Sequence, residues 1–465
     1  MDEFDSYQSP FSWRYASPEM RKIWSETNKR LLWRKLWVCL AEVEAEFGLV
    51  KPEQLADLKK NVEKIDIKKS LAHEAVSHHD LMAEVKTYAS QCKVGGGIIH
   101  LGATSMDIKD NADVLQIAQA LDMLIDETKA LLLAIDEKIQ TYAETPCIAF
   151  THLQPAEPTT YGYRFANYAQ DILADLIRLR EIRSGLMGKG FKGAVGTSAS
   201  YAELVGQENV ERFESRISQV LGLPFYPVTT QTYTRMQDFH ISSVLSGLGA
   251  SIYKIAFDLR LLQSQPFGET SEPFGEKQVG SSAMPFKRNP IQLEKIDSLA
   301  RSLSVLPQIA WQNAANSILE RTLDDSANRR TTIPEAFLIC DEIIHSLTDV
   351  FSGLKINLRQ VETNLATYAP FANTERLMMT LVKAGADRQK VHESLRLHSM
   401  QAWQAVQAGK LNPLISLVSA DIEFQKYLSP SKIGKLMSSS AYIGQAASRA
   451  GKFSKDIAIV ISENK

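Results

Sequence analysis

The chain lacks the features that would place it in an oxidising compartment, in a membrane or on a charged polymer. Its four cysteines are scattered without a C-x-x-C pair, so we expect a reduced, cytoplasmic protein rather than a disulfide framework. The formal net charge of −2 gives no reason to bind nucleic acid or an anionic membrane. A basic segment followed by an apolar one is missing at the start, which argues against a signal peptide. No window approaches about 18 uncharged apolar residues, which argues against a transmembrane helix.

Several enzyme signatures are also missing. Neither H-E-x-x-H nor a Cys/His ligand pattern accompanies His73, His78 and His79, so we expect no metal and no cofactor. Because G-x-S-x-G is absent, proton transfer suits a catalytic serine here better than acyl chemistry. The G-x-G-x-x-G match at 188–193 follows a helical pattern instead of a strand. It therefore predicts a glycine-rich loop that brings backbone close to a ligand, not a dinucleotide site.

Apolar residues recur at alternating steps of three and four over long stretches. The clearest stripe runs from Ile241 to Leu262, and similar stripes cover 121–139, 165–179, 291–311 and 337–354. This alternation is typical of long helices packed along a bundle, because such a helix cannot bury its stripe alone. The sequence therefore predicts an all-α protein built around five long helices.

The periodic core suggests three domains. We predict an N-terminal helical domain at 1–104, a central long-helix bundle at 105–356 and a C-terminal helical domain at 357–465. The first contains a candidate helix at 26–47. The last reads as short helices, because glycine and proline interrupt it at several positions.

Residues 266–294 break the helical period. This segment carries Ser281, Lys287, Asn289 and Glu294 between glycines and prolines, a mixture too polar for a core. A structureless run above about 12–15 residues inside a compact domain is usually a lid, a binding loop or disorder. Lys287 and Asn289 suit an anion that forms only in the transition state. We therefore predict a loop that wraps a small, negatively charged substrate.

Two histidines are further candidates. His79 either contacts substrate and handles protons or is an ordinary surface histidine. His152 precedes Pro155, which disfavours helix just before it and predicts a helix-entry loop. Catalytic side chains are common in such loops, but the residues alone leave His152 open between structure and catalysis.

The densest group of cations lies at 321–330, where guanidinium forks and a serine could bind phosphate. A solvated charge run is the alternative, and Asp324 and Asp325 dilute the positive field in either case. Arg14 and Tyr15, between aromatic residues, form a weaker candidate anion site.

Five segments together resemble a known family. G-S-S-A-M-P-F-K-R-N-P at 280–290 resembles the signature loop of the fumarase/aspartase superfamily. I-H-L-G-A-T-S at 99–105, F-T-H-L-Q-P at 150–155, Q-T-Y-T-R at 231–235 and R-T-L-D-D-S-A-N-R-R at 321–330 resemble the adenylosuccinate lyase family, particularly its animal members.

The resemblance covers nearly the full length and implies a C–N lyase of purine biosynthesis. Its small-molecule substrates would be adenylosuccinate, split into AMP and fumarate, and the imidazole-carboxamide analogue SAICAR, split into AICAR and fumarate. It also implies a homotetramer with a central core of twenty helices and with active sites shared between subunits.

The resemblance implies roles for individual residues as well. Ser281 would be the general base, His152 the general acid and Glu294 the carboxylate that orients His152. Lys287 and Asn289 would hold the substrate carboxylate that becomes dianionic. His79 and Asp80 would line the pocket as a His-Asp pair. The implied contacts to the succinyl part are Thr104, Ser105, Thr151 and Gln231, and those to the phosphate are Arg14, Tyr15, Arg321, Ser326 and Arg330.

Two rival functions remain at this stage. Argininosuccinate lyase and fumarase belong to the same superfamily, but their substrates carry no phosphate for the 321–330 cluster. A non-catalytic helical scaffold would not need Ser281, His152 and Lys287, which are all present.

Overall fold

The computed structural model describes residues 5–438 and 442–463 and is nearly all helical, as the periodicity predicts. The helices in chain order are α1 Pro18–Ile23, α2 Glu26–Glu46, α3 Pro52–Asn61, α4 Ile67–Ser77, α5 Asp80–Gln91, α6 Ser105–Thr141, α7 Tyr161–Ser184, α8 Ala199–Val205, α9 Val210–Leu221, α10 Met236–Gln263, α11 Ile291–Leu303, α12 Leu306–Ala315, α13 Asp324–Gly353, α14 Leu358–Lys383, α15 Arg388–Gln407, α16 Leu414–Ser419, α17 Ile422–Gln425, α18 Pro430–Met437 and α19 Ala446–Ser462.

Strands are few. β1 Pro146–Thr151 pairs with β2 Gln154–Thr160, and β3 Thr270–Ser271 pairs with β4 Lys355–Ile356, both antiparallel. Within the described part of the chain, no helix combines the length and apolar content needed to cross a bilayer.

Four of the five expected long helices are confirmed, as α6, α7, α10 and α13. The fifth was wrong as a single helix, because 291–311 is divided between α11 and α12. Pro307 explains the division: a proline has no N–H to donate to the carbonyl of Leu303, and its ring clashes with that carbonyl. The apolar period survives such an interruption, so the stripe alone did not reveal it.

The C-terminal part contains longer helices than we expected. α14 has 26 residues and α15 has 20, and α14 continues through Pro370. It ends just before Gly385, whose φ of 100° is left-handed backbone that favours glycine.

The chain forms two compact units. The first comprises the residues up to Thr128, Asp175–Ala250 and Ser298–Ile344. The second comprises Lys129–Ala174, Ser251–Asp297 and the chain from His345 onward. The division into three domains remains a prediction.

Each unit has its own apolar core. In the first, Trp33 and Trp37 of α2 pack with residues of α5, α6 and α9. In the second, one cluster joins helices α14 to α18, and a smaller one sets Ile148 of β1 against Leu365 and Ala369 of α14. The strand pair β1–β2 is thus supported by α14.

All four cysteines are free and buried. Burial raises the pKa of Cys39 to about 12 and that of Cys92 and Cys147 to about 11. The pKa of Cys340 also lies well above its ordinary value because of burial.

Candidate active site

The signature loop belongs to the second unit and is closed at its base. We had expected the first part of this segment to lack regular structure. It instead contains β3, which pairs with β4. Glu272 follows β3, and its carboxylate accepts hydrogen bonds from the backbone N–H groups of Gln292 (3.2 Å) and Leu293 (3.1 Å) in the first turn of α11. The side chain of Gln263 accepts from the backbone N–H of Glu272 at 2.9 Å. The end of α10 and the start of α11 are therefore tied to the same point.

Glu272 is buried at this point. Burial raises the pKa of its carboxyl, and the backbone N–H groups of α11 offset only part of that effect. Sequence reasoning missed Glu272, because nothing in a lone glutamate indicates a partner twenty residues away.

The loop tip is a compact turn around Ser281. The Asn289 amide donates to the carbonyl oxygen of Gly280 at 2.9 Å. A Cβ on Gly280 would collide with the carbonyl oxygen of Lys287, so the turn needs glycine there. The Ser281 hydroxyl oxygen accepts from the backbone N–H groups of Met284 (3.1 Å) and Ala283 (3.4 Å). Two backbone donors thus converge on the predicted base, and such an arrangement stabilises negative charge on oxygen.

The two loop residues that the resemblance assigns to the substrate carboxylate, Lys287 and Asn289, differ in their surroundings. Lys287 is exposed. Asn289 uses its amide to close the turn, a role that the sequence did not suggest.

His152 lies at the tip of the β1–β2 hairpin, which corrects our expectation of a helix-entry loop. Thr151 pairs with Gln154, and His152 and Leu153 have φ values of 54° and 57°, the pattern of a two-residue type I′ turn. Pro155 misled the sequence analysis, because proline is tolerated in a strand whose neighbour lies on one side only.

The single chain does not bring Glu294 to His152. The His152 imidazole is exposed, and it forms no hydrogen bond or ion pair with another residue in 5–438 or 442–463. The Glu294 carboxylate lies 3.6 Å from the guanidinium of Arg260 instead. The pairing of His152 with Glu294 therefore remains a proposal for the assembled protein, in which another chain would supply one of the two residues.

In the first unit, His79 caps helix α5. Its Nδ1 accepts the backbone N–H of Met82 at 3.3 Å, and its Nε2 lies 3.4 Å from the Ser105 hydroxyl. Because Nδ1 acts as the acceptor, this pattern assigns the ring proton to Nε2, which donates to Ser105. The structure therefore brings together two of the residues that the resemblance singled out.

Thr104 and Ser105 at the start of α6 are held by Asp107. The Asp107 carboxylate accepts from the backbone N–H of Thr104 at 2.9 Å. It also accepts from the backbone N–H of Gly193 (3.2 Å) and pairs with the ammonium of Lys189.

These contacts differ from our prediction that the 188–193 loop brings its backbone close to a ligand. Lys189 is fully buried, and Gly190 and Gly193 have φ values of 79° and 73°. The glycines let this loop wrap a carboxylate of its own chain. Asp107 was missed because it could be identified only through partners far away in sequence.

A cavity of about 330 Å³ lies in the first unit beside α13. Four of the implied binding residues line it, namely Asp80, Arg321, Ser326 and Arg330. Its other charged lining residues are Glu26, Lys29, Arg30, Glu74, Lys109, Asp113 and Arg329.

The 321–330 cluster is more fully paired than an open phosphate site would be. Arg321 donates to Asp325 at 2.8 Å, and Asp325 also accepts from Arg235 at 2.8 Å. Arg329 is held by Asp238 at 2.8 Å. Burial raises the pKa of Asp325, but Arg235, Arg321 and Arg329 outweigh it, so the pKa lies below its ordinary value. The sequence suggested that aspartates weaken the positive field of this cluster. In the structure, Asp325 does so by forming specific ion pairs with the arginines.

Arg330 is paired as well, with Asp80 at 3.1 Å. Asp80 also accepts two hydrogen bonds from Lys109, at 2.8 and 3.0 Å. Burial raises the pKa of Asp80, but Lys109, the Leu81 backbone N–H and Arg330 together hold it below its ordinary value.

Arg14, Tyr15 and Gln231 are described residues of the first unit that do not line the cavity. The chain just after Tyr15 is fixed to α13, because the backbone N–H of Ala16 donates to Glu342 at 2.8 Å. The backbone N–H of Gln231 donates to the carbonyl oxygen of Glu320 at 3.2 Å. Gln231 thus lies beside the start of the arginine cluster.

Comparison with known proteins identifies the family. Residues 16–303 match a family described as lyase, and residues 370–453 match one described as adenylosuccinate lyase C-terminus. Adenylosuccinate lyase of Saccharomyces cerevisiae is 40% identical over 98% of this chain and 96% of its own length. The chain belongs to the adenylosuccinate lyase family. It is thus a lyase of the fumarate lyase type.

Solved structures bear out the fold that this family implies. The 3-carboxy-cis,cis-muconate lactonizing enzyme of Pseudomonas putida aligns with a TM-score of 0.86 at 22% identity, over 98% of this chain and 100% of that one. A fumarate lyase of Mesorhizobium sp. BNC1 aligns with a TM-score of 0.83 at 22% identity, over 97% and 99%. The residue roles carried over from the adenylosuccinate lyase family remain proposals.

Proposed function

We propose that this protein eliminates fumarate from adenylosuccinate to give AMP, and from SAICAR to give AICAR. Its 40% identity to a yeast adenylosuccinate lyase over almost the whole chain supports this substrate choice. The observation that carries the mechanism is the Ser281 hydroxyl oxygen, on which two backbone N–H groups converge.

Ser281 is the base in this proposal. A serine hydroxyl is a poor base unless its alkoxide is stabilised, and the backbone donors of Ala283 and Met284 reduce that cost. The alkoxide takes a proton from the CH2 carbon of the succinyl group, which is bonded to the carbon that carries the departing nitrogen. The C–H electrons move into the adjacent carboxylate, which becomes dianionic, and Lys287 neutralises this charge. One such contact is worth about 2.7–4 kcal/mol.

His152 is the acid in the second step. The electrons return from the dianionic carboxylate to form the double bond of fumarate, and the C–N bond breaks. The departing nitrogen takes a proton from His152. Glu294 orients this imidazole only when another chain supplies it, since the two residues do not meet within one chain.

We therefore also propose a homotetramer with shared active sites, located in the cytoplasm. Its twenty-helix core would bring together the long helices of four subunits. Exposed apolar residues on these helices support this assembly, namely Leu133, Ile177, Met236 and Phe257. The four reduced cysteines fit a reducing compartment.

The cavity in the first unit receives the nucleotide phosphate. Arg321, Ser326 and Arg330 line it, and guanidinium groups bind phosphate oxygens bidentately. This cluster disfavours the phosphate-free substrates of sibling enzymes. Ultraviolet assays of fumarate release from adenylosuccinate and from argininosuccinate decide between them, and release from argininosuccinate alone would overturn the proposal.

Substitution of the base tests the mechanism. Ser281→Ala should lower kcat by about 10²–10⁴-fold, the range that a positioned acid or base supplies, while AMP binding measured by calorimetry persists. Ser282→Ala, at the neighbouring exposed serine, is the matched control and should keep its activity. An unchanged kcat in Ser281→Ala would remove Ser281 as the base.

A further inference from the structure

One carboxylate in the cavity is shared by two cations. Asp80 accepts two hydrogen bonds from the ammonium of Lys109, at 2.8 and 3.0 Å, and one from Arg330, at 3.1 Å. We call this group the Asp80 bridge. Its members differ in exposure: the side chains of Asp80 and Lys109 are 16% and 22% exposed, whereas that of Arg330 is 58% exposed. Arg330 is therefore the partner that can leave most easily.

A substrate phosphate has to compete with Asp80 for Arg330. If Arg330 were the sole partner of Asp80, its departure would leave a partly buried carboxylate unpaired, and that state is costly. Lys109 changes this balance, because its two hydrogen bonds remain when Arg330 turns to the phosphate. The cost of binding the anion is then lower.

We propose that Lys109 is a positioning residue that keeps Asp80 paired and so frees Arg330 for the substrate phosphate. Lys109 acts through Asp80 and does not itself contact the phosphate. The inference rests on the proposed function for the identity of the ligand, a nucleoside monophosphate unit. It adds a residue to which the family resemblance gave no role.

A second lysine of the same cavity offers a matched control. Lys29 lies 5.7 Å from the centroid of the Trp33 ring, and Lys109 lies 5.9 Å from the same centroid. Both lysines pair with a carboxylate, but Glu26, the partner of Lys29, pairs otherwise with Arg30 and not with Arg330. Lys29→Met removes the same charge from the same cavity and leaves the Asp80 bridge intact.

The experiment compares six variants with the wild type. The main four are Lys109→Met, Lys29→Met, Asp80→Asn and the double variant Asp80→Asn with Lys109→Met; Lys109→Arg and Lys109→Gln are supporting variants. AMP and inorganic phosphate are the calorimetric probes, and fumarate release gives kcat and KM. Lys109→Met should raise the Kd for AMP and the KM by about tenfold, as expected for coupled neighbours, with kcat within about twofold. Lys29→Met should raise both constants clearly less. Lys109→Arg should restore them, because a guanidinium also pairs with Asp80.

The double variant separates this role from direct phosphate binding. Without the Asp80 carboxylate there is no competitor for Arg330, so adding Lys109→Met to Asp80→Asn should change the Kd for AMP little. An additive loss overturns the inference, since it would mean that Lys109 contacts the phosphate itself. A Lys109→Met effect no larger than that of Lys29→Met overturns it too. A loss of kcat in Lys109→Met as large as its rise in KM also overturns it.

Wild-type activity tests the function separately. An active wild type in which Lys109→Met and Lys29→Met behave alike overturns the inference and leaves the function standing. A wild type that binds AMP in a Lys109-dependent way but releases no fumarate overturns the function and supports the inference. Thermal unfolding of Lys109→Met, and of Lys109→Gln as a second neutral variant, checks that altered binding does not reflect lost folding.

Discussion

Carboxylates of the chain itself determine how much positive charge the binding residues can offer. Asp80 forms an ion pair with Arg330, and Asp325 forms one with Arg321. Asp107 and Glu272 instead collect backbone N–H groups and fix the segments that carry Thr104 and the signature loop. If an anionic substrate binds at these arginines, as we propose, it must exchange with internal anions, and its affinity then depends on residues that never contact it.

Glu44 of α2 is a carboxyl group whose burial should be visible in stability. Glu44 is 1% exposed, and among the residues that the structure describes neither of its carboxylate oxygens has a hydrogen-bond partner. Burial raises its pKa from 4.5 to about 8, so the folded protein keeps Glu44 protonated at neutral pH. Above pH 4.5 the unfolded carboxyl is ionised and folding must take up a proton. The free energy of unfolding therefore falls as the pH rises towards 8.

Glu44→Gln removes this proton uptake. The variant should gain stability relative to the wild type as pH rises from about 5 to 8, by up to about 1.4 kcal/mol for each unit of pH, and the gain should level off above pH 8. Urea unfolding at several pH values measures it. Glu46→Gln, at an exposed neighbour paired with Arg216, is the control. A difference that does not change with pH would contradict the assignment.

At the scale of elements, the signature loop depends on one close backbone approach. Gly280→Ala places a methyl group against the carbonyl oxygen of Lys287, so the turn around Ser281 must open. A misplacement of about 1 Å can cost about 10²-fold in rate. We expect kcat to fall by that order with little change in AMP binding or melting temperature, because the loop is exposed.

A second glycine of the same loop serves as the control. A Cβ on Gly275 would meet its nearest neighbour, Gln278, at 3.7 Å, an ordinary contact. Gly275→Ala should therefore keep its kcat in the fumarate-release assay. Equal losses in the two variants would show that the loop tolerates no added methyl group at all, and the specific role of Gly280 would be lost.

The elements show what the sequence could and could not predict. The stripe in α10 predicts its helix within a few residues, because a helix of that length repeats its apolar face many times. The β1–β2 hairpin was missed, because its turn residues His152 and Leu153 are not those that usually mark left-handed backbone. Its proline also suggested an approaching helix.

The candidate site was predictable only in part, because some of its residues lie in one motif and others have partners far away in the sequence. Ser281 and Lys287 lie in one contiguous motif, which sequence comparison recognises. The partners of Asp107 and Glu272 lie tens of residues away, and such pairings depend on the tertiary fold. In the proposed shared sites, individual roles in catalysis would depend in addition on how chains associate.

At the scale of the whole molecule, sharing of active sites makes a prediction that one chain cannot satisfy. If Ser281 and His152 of a site come from different chains, then mixing Ser281→Ala with His152→Ala protein and allowing exchange of subunits creates intact sites. Random association in a symmetric oligomer should restore roughly a quarter of the sites. Fumarate release after mixing measures the recovery.

The control mixes two variants of the same loop. Ser281 and Lys287 act together on one loop, so a mixture of Ser281→Ala and Lys287→Ala should regain no activity. Recovery in both mixtures, or in neither, would contradict the proposed sharing. The mass of the assembled protein, measured by light scattering, should correspond to four chains.

The buried cysteines have a practical consequence for following the signature loop. Thiol-reactive dyes attack the thiolate, and burial with a raised pKa keeps all four native thiols slow to react. A single cysteine introduced at Phe286, whose side chain is 83% exposed, would then be labelled selectively on an otherwise unmodified background. The protein is thus already suited to attaching a single fluorescent label to this loop.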